Sequence, residues 1–226
     1  MTLNSFIFKN YELKIKLFPF FALIFFSYGK GIAQRTEESK ALLEEVSSKI
    51  ASFDNIQFDF SYLLENRQEN IRQETKGNVT LAGERYKLNF QQTTQLFDGT
   101  KIYTIVPENE EITITTKEDG EDFGINPQKL LVFYKEGYTF QWDIKQNVLG
   151  RPIQFIKLTP IEENKDIKYL LLGIDLQQKL IYRLIEIGTN DTRTTLTLSK
   201  IKTNVELPPR FFTFDPNKYP DYYINQ

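Results

Sequence analysis

The chain has 226 residues and a formal net charge of −2, with 19 Phe and 12 Tyr but a single Met and a single Trp. That length suits one domain or at most two small ones, and aromatic enrichment with 11 Gly and 9 Pro favours sheet over a helix bundle. The absence of Cys and His excludes disulfides, a thiolate nucleophile, a Cys-ligated metal, a lipidated N-terminal Cys, and the commonest general base and metal ligand.

The opening stretch, KNYELKIKLFPFFALIFFSYGKGIAQ, carries Lys9, Lys14 and Lys16, then an apolar run from Leu17 to Phe26, then Gly31 and Ala33. This order predicts a secretory signal over residues 1–33, cleaved after Ala33, and the apolar run is too short for a membrane span. An uncleaved anchor is the alternative. Residues 1–33 hold four Lys and one Glu, so cleavage takes the charge from −2 to −5. A soluble, mildly acidic mature chain argues against nucleic acid and against anionic membrane surfaces as partners.

Next, TEESKALLEEVSSKIASF spaces Leu42, Leu43, Val46, Ile50 and Phe53 at helical steps, with Thr36 as cap and Glu37 and Glu38 at the positive end. An amphipathic helix of about four turns, packed on a sheet, is expected. From Asn55 the period becomes two. Ile56, Phe58, Phe60, Tyr62 and Leu64 share one face against Gln57, Asp59 and Ser61. The polar stretch ENRQENIRQETKG reads as a turn. Short strands follow at NVTLAG, RYKLNF, TTQLF, KIYTIV and EITITT, with hairpins at Gly83-Glu84 and Asp98-Gly99.

The meander breaks at KEDGEDFGINPQKLLVFYKEGY, an acidic loop leading to a short apolar helix. Asn126 is its cap, Pro127 its first residue, and Leu130, Leu131, Phe133 and Tyr134 its apolar content. Strands resume at YTFQWDIKQ, RPIQFIKLTP, KYLLLGIDL, KLIYRLIEIG and TRTTLTLSKI, with turns at Asp175 to Lys179 and Thr189 to Asp191. About ten short strands against two or three helical pieces make a mainly β (α+β) fold. Its expected form is a single curved antiparallel sheet with helices on one face.

No catalytic motif stands out. Glu110 with Glu111, Asp119 with Glu121 and Asp122, and Glu162 with Glu163 lie in charged turns, whereas a glycosidase needs two carboxylates facing across a cleft. Asp215-Pro216-Asn217 lacks the Gly and Glu that complete a calcium loop. A nucleophile elbow and a phosphate-binding loop are missing too, so the chain is expected to be no enzyme and to need no cofactor or metal. What remains is apolar surface: Phe58, Phe60, Tyr62, Leu88, Phe90, Tyr103, Ile105, Phe140 and Trp142 on alternating positions, with an apolar insert to cover them. They form a plain core, or a groove for an apolar ligand under a helical lid. Periodicity does not separate the two, since both need the same inward residues.

Over the mature chain from the Leu42 helix to Tyr219, the sequence resembles the periplasmic outer-membrane lipoprotein carrier family, LolA. The segments KGNVTLAGERYKLNF, LFDGTKIYTIVPENEEI, NPQKLLVFYKEGY, IKLTP and RFFTFDPNKYP carry the likeness in order and spacing. The resemblance implies an incomplete β-barrel whose concave face is covered by helices, spanning residues 34–226. It further implies a periplasmic, monomeric carrier taking acylated lipoproteins from an inner-membrane lipoprotein-releasing ABC transporter to an outer-membrane acceptor. The acyl groove and lid would then be Phe58, Phe60, Tyr62, Leu88, Phe90, Tyr103, Ile105, Leu130, Leu131, Phe133, Phe140 and Trp142. One departure stands out: some members carry an Arg where this chain has Gly83, with Arg85 two residues on. A periplasmic lipid-binding or envelope-stress sensor domain of the same fold is the alternative function.

Overall fold

The computed structural model describes residues 20–116 and 127–225, with side chains from Arg35 onward except that of Gln128. Twelve strands form one sheet: β1 (Ile56–Asn66), β2 (Ile71–Ala82), β3 (Arg85–Phe90), β4 (Thr93–Phe97), β5 (Lys101–Val106), β6 (Glu111–Thr116), β7 (Tyr138–Val148), β8 (Arg151–Pro160), β9 (Ile167–Asp175), β10 (Leu180–Gly188), β11 (Arg193–Thr203) and β12 (Tyr223–Asn225). Their order is β12-β6-β5-β4-β3-β2-β1-β11-β10-β9-β8-β7, and the edges β12 and β7 do not pair, so the sheet stays open. The expected architecture holds, with one departure: β12 adds to β6 in parallel.

Two meanders, β1 to β6 and β7 to β11, join through the β1–β11 pair. Turn chemistry follows the side chains. Asp98 Oδ1 accepts from the amides of Thr100 and Lys101, and Asp175 Oδ1 accepts from those of Gln177 and Gln178. The β3–β4 turn, unmarked by Gly or Asn, places Gln91 and Gln92 both at positive φ, as a tight hairpin requires. The polar stretch after Glu65 is mostly strand, contrary to expectation. Its turn is only 67–70, held by Asn66 Oδ1 accepting from the amides of Gln68 and Glu69. From Ile71 to Leu81, β2 then pairs with β1 in unbroken register. That hairpin end is solvated on both faces, so no apolar alternation marks it.

The helix α1 runs Phe20–Ala51 without a break. Thr36 is therefore internal rather than a cap, because no Pro interrupts the segment and Gly29 and Gly31 weaken a helix without ending it. Leu42, Leu43 and Val46 are buried against the sheet, each contributing about 1.5–3 kcal/mol. The corner after the helix is pinned to the end of β11: Asn55 Nδ2 donates to Val205 O, Val205 N donates to Asn55 Oδ1, and Asp54 N donates to Asn204 Oδ1. Among the described residues no helix is long and apolar enough to cross a membrane.

Because β6 and β7 lie near opposite edges of the sheet, the connection between them must pass from one edge to the other. It carries α2 (Pro127–Leu130), a single helical turn, and a 3-10 turn at Phe133–Lys135. The expected short helix is thus broken at Leu131 and Val132. Leu131 and Tyr134 are buried in the same core as Phe58, Phe60, Leu42 and Val46. The insert and α1 therefore cover one face of the sheet, the concave one.

The other face of β3 to β6 is covered by the C-terminal segment. Phe212 lies under Arg85 at 5.1 Å, Phe211 under Lys87 at 5.5 Å, and Phe214 stacks on Tyr103 at 4.5 Å. Tyr219 stacks in turn on Phe214, and β12 then caps the β6 edge, which removes an exposed row of backbone donors and acceptors.

Candidate functional site

A cavity of about 210 Å³ lies between the concave face and α2. Its walls are Phe58, Phe60 and Tyr62 from β1, Val79 from β2, Leu88 from β3, Leu184 and Glu186 from β10, and Thr194 and Leu196 from β11; Pro127 and Leu130 form the roof. Register explains the convergence. Phe58 pairs with Val79 and Val79 with Leu88, while Leu184 pairs with Leu196, so these side chains share one face of neighbouring strands. Gly77, opposite Phe60, makes room for its ring: a Cβ there would stand 2.4 Å from Phe60 Cζ.

Of the twelve residues expected to form groove and lid, Phe58, Phe60, Tyr62, Leu88 and Leu130 line this cavity. Phe90 packs behind it, 5.5 Å from the Phe60 ring and 5.9 Å from that of Tyr62. Leu131, Phe133, Phe140 and Trp142 join the same core without lining the cavity. Phe133 turns to Tyr134 and Tyr138, and Phe140 faces a second depression, of about 540 Å³, between α1 and the 3-10 turn. Tyr134 also lines that depression; burial pushes its pKa up to about 12, with Ser47 beside its hydroxyl.

Tyr103 and Ile105 are a correction. Across the β4–β5 pair it is Ile102 that meets core residue Phe97, so Tyr103 and Ile105 point the other way, and Tyr103 lies under Phe214 of the C-terminal segment. Strand β5 is apolar on both faces, and alternation alone does not say which faces inward. Arg85 lies on that same outer side, over Phe212, and does not reach the cavity.

Val79, Leu184, Glu186, Thr194 and Leu196 were missed as wall residues. The alternation of NVTLAG contains Val79, and that of KLIYRLIEIG and TRTTLTLSKI contains the other four, but the β1–β2 pair brings Val79 to Phe58 and the pairing of β11 with β1 brings the others to Phe60. Glu186 is a carboxyl among otherwise uncharged walls. Its pKa is raised, first by burial and then by the nearby charge of Asp166; that of Tyr138 is raised by burial and then by the charge of Glu186. Asp119, Glu121, Asp122 and Asn126 lie outside the described residues. Glu110, Glu162 and Glu163 are exposed, and Asp215 caps a 3-10 turn by accepting from Asn217 N. Among the described residues no group of three acids is placed to hold a metal ion.

No family model and no curated protein matches the sequence. Solved structures do. An uncharacterized conserved protein from Thermus thermophilus is 9% identical, with 83% of this chain and 98% of that one aligned at a TM-score of 0.57. The likeness is one of fold. Lower-scoring matches include the LolA superfamily protein from Nitrosomonas europaea (11% identity, 78% and 97% coverage, TM-score 0.38). The Mycobacterium tuberculosis lipoprotein LppX is another (11% identity, 75% and 98% coverage, TM-score 0.45).

Proposed function

We propose that this chain is a non-enzymatic periplasmic carrier that takes lipoprotein acyl chains into the concave cavity. It would collect acylated lipoproteins from an inner-membrane lipoprotein-releasing ABC transporter and pass them to an outer-membrane acceptor. One observation carries the reading: an apolar cavity in an open sheet, roofed by a single helical turn rather than by a packed helix. An apolar cavity of about 150 Å³ already takes a benzene-sized molecule, so 210 Å³ admits part of one acyl chain as it stands. More chain requires the Pro127–Leu130 roof to lift.

That partial fit suits a carrier. Each buried methylene is worth about 0.8 kcal/mol, so about ten of them give roughly 8 kcal/mol, already near micromolar affinity. Full enclosure of several chains would prevent hand-over to an acceptor. Native mass spectrometry of the protein purified from the periplasm tests the reading, together with transfer of a lipoprotein from inner-membrane vesicles. Co-purified acylated cargo and release into the soluble fraction are expected. A ligand-free protein that releases nothing would overturn the proposal and leave the cavity as a packing defect of an ordinary core.

A further inference from the structure

We infer that the ligand of this cavity presents a hydrogen-bond donor, an ammonium or an amide N–H, to Glu186, and that anionic head groups are rejected there. This rests on the acyl-binding reading and adds the chemistry of the ligand's polar end.

Glu186 belongs to the wall by register. It pairs with Leu170 on β9 and Thr194 on β11, and Leu184, two residues before it, lines the same cavity. A half-buried carboxylate among Phe60, Tyr62, Leu130 and Leu196 has lost part of its water, a cost that a donor within the cavity offsets. Nothing described does so: among the described residues its side chain takes part in no hydrogen bond or ion pair. The groups coupled to it from neighbouring elements are Asp166, before β9, and Tyr138, on β7. Lys168 on β9 is exposed and makes no ion pair with it. The local field at this end of the cavity is therefore negative, and the burial that raises the Glu186 pKa agrees with a carboxyl short of partners. An amphiphile whose tail fills the apolar walls and whose head donates an N–H would satisfy it with a charge-assisted bond. A carboxylate or phosphate head would meet like charge.

The probes are dodecylammonium, dodecanoate and dodecanol, each below its micellar concentration, displacing a neutral naphthylamine dye from the full chain. Dodecylammonium is expected to bind at least about tenfold more tightly than dodecanoate, and Glu186→Gln to bring the two within about threefold. Glu186→Asp, which keeps the charge on a shorter stem, should give an intermediate ratio and serves if the Gln variant does not fold. Equal or tighter binding of dodecanoate to the parent overturns the inference, as does a preference that survives Glu186→Gln or is unaffected by Glu186→Asp. If dodecanol binds but no head group is preferred, only this inference fails. If no probe displaces the dye, the acyl-binding reading fails with it.

Discussion

Replacing Gly77 by Ala tests whether the cavity wall is as tightly fitted as its geometry indicates. The new Cβ would stand 2.4 Å from Phe60 Cζ and 2.6 Å from Asn89 O, both inside contact distance. The two clashes differ in kind. Phe60 can swing, and the space open to it is the cavity of about 210 Å³, so relief there takes volume from the ligand. Asn89 O is backbone on β3, where Gly77 pairs with Phe90 and Asn78 with Asn89, so it yields only if the ladder shifts. Overpacking costs about 1–3 kcal/mol, offset by about 0.4–1 kcal/mol from a stiffer unfolded chain, leaving a net loss on the order of 1–2 kcal/mol. For a chain of this size the melting temperature should fall by about 2–8 °C, read by calorimetry, and acyl-probe affinity should fall with it. Adding Phe60→Leu removes half of the conflict. The double variant should therefore be more stable than the sum of the singles predicts, by about 0.5–3 kcal/mol. A variant that melts at or above the parent, with additive double-mutant behaviour, would refute the fitted-wall argument.

Leu130→Glu puts a carboxylate into the cavity roof, across from Glu186, and should weaken acyl-probe binding at least about tenfold, roughly 1.4 kcal/mol, with the sheet intact by circular dichroism. Unchanged binding would mean that α2 is not the roof. Tyr86 donates to Gln95 Oε1 at 3.0 Å, and burial pushes its pKa up to about 12. Its folded-state proton is held more tightly than in the unfolded chain, so stability should fall as pH rises from 10.0 towards about 12; Tyr86→Phe should lose about 1–3 kcal/mol at neutral pH and flatten that fall. Chemical denaturation as a function of pH reads both. Glu186→Gln should raise the melting temperature at neutral pH, because the raised pKa means that ionised Glu186 costs folding energy there. The gain should shrink as pH falls through the Glu186 pKa towards its ordinary 4.5.

Much of the architecture was legible in the sequence because a strand with one buried face must alternate. Ile56, Phe58, Phe60 and Tyr62, and the tight turns at Gly83 and Asp98, predict β1, β3, β4 and β5 and their antiparallel pairing. Where that physical cause is absent the signal vanishes. Ile71 to Gly77 is strand only because the β1 ladder continues beside it, and β12 is strand only because the β6 edge is open to it. The insert reads as a helix from its apolar content, yet Leu130 ends a helical turn, Leu131 follows it, and Phe133 and Tyr134 fall in a 3-10 turn as they reach into a core already filled by α1.

By itself the sequence determined the class of the molecule: alternation and turn residues make the sheet, and a chain without Cys or His has no thiolate and no imidazole. Which face of each strand looks inward was decided only by tertiary structure. Tyr103 and Ile105 alternate as convincingly as Phe58 and Phe60, but they face the outer side, where Phe214 stacks on Tyr103. The cavity is likewise a product of the long-range β1–β11 pairing, which brings Leu184, Glu186 and Leu196 to Phe60 from more than a hundred residues away. Local patterning sets what each strand is. Only closure of distant strands onto one another sets what they enclose.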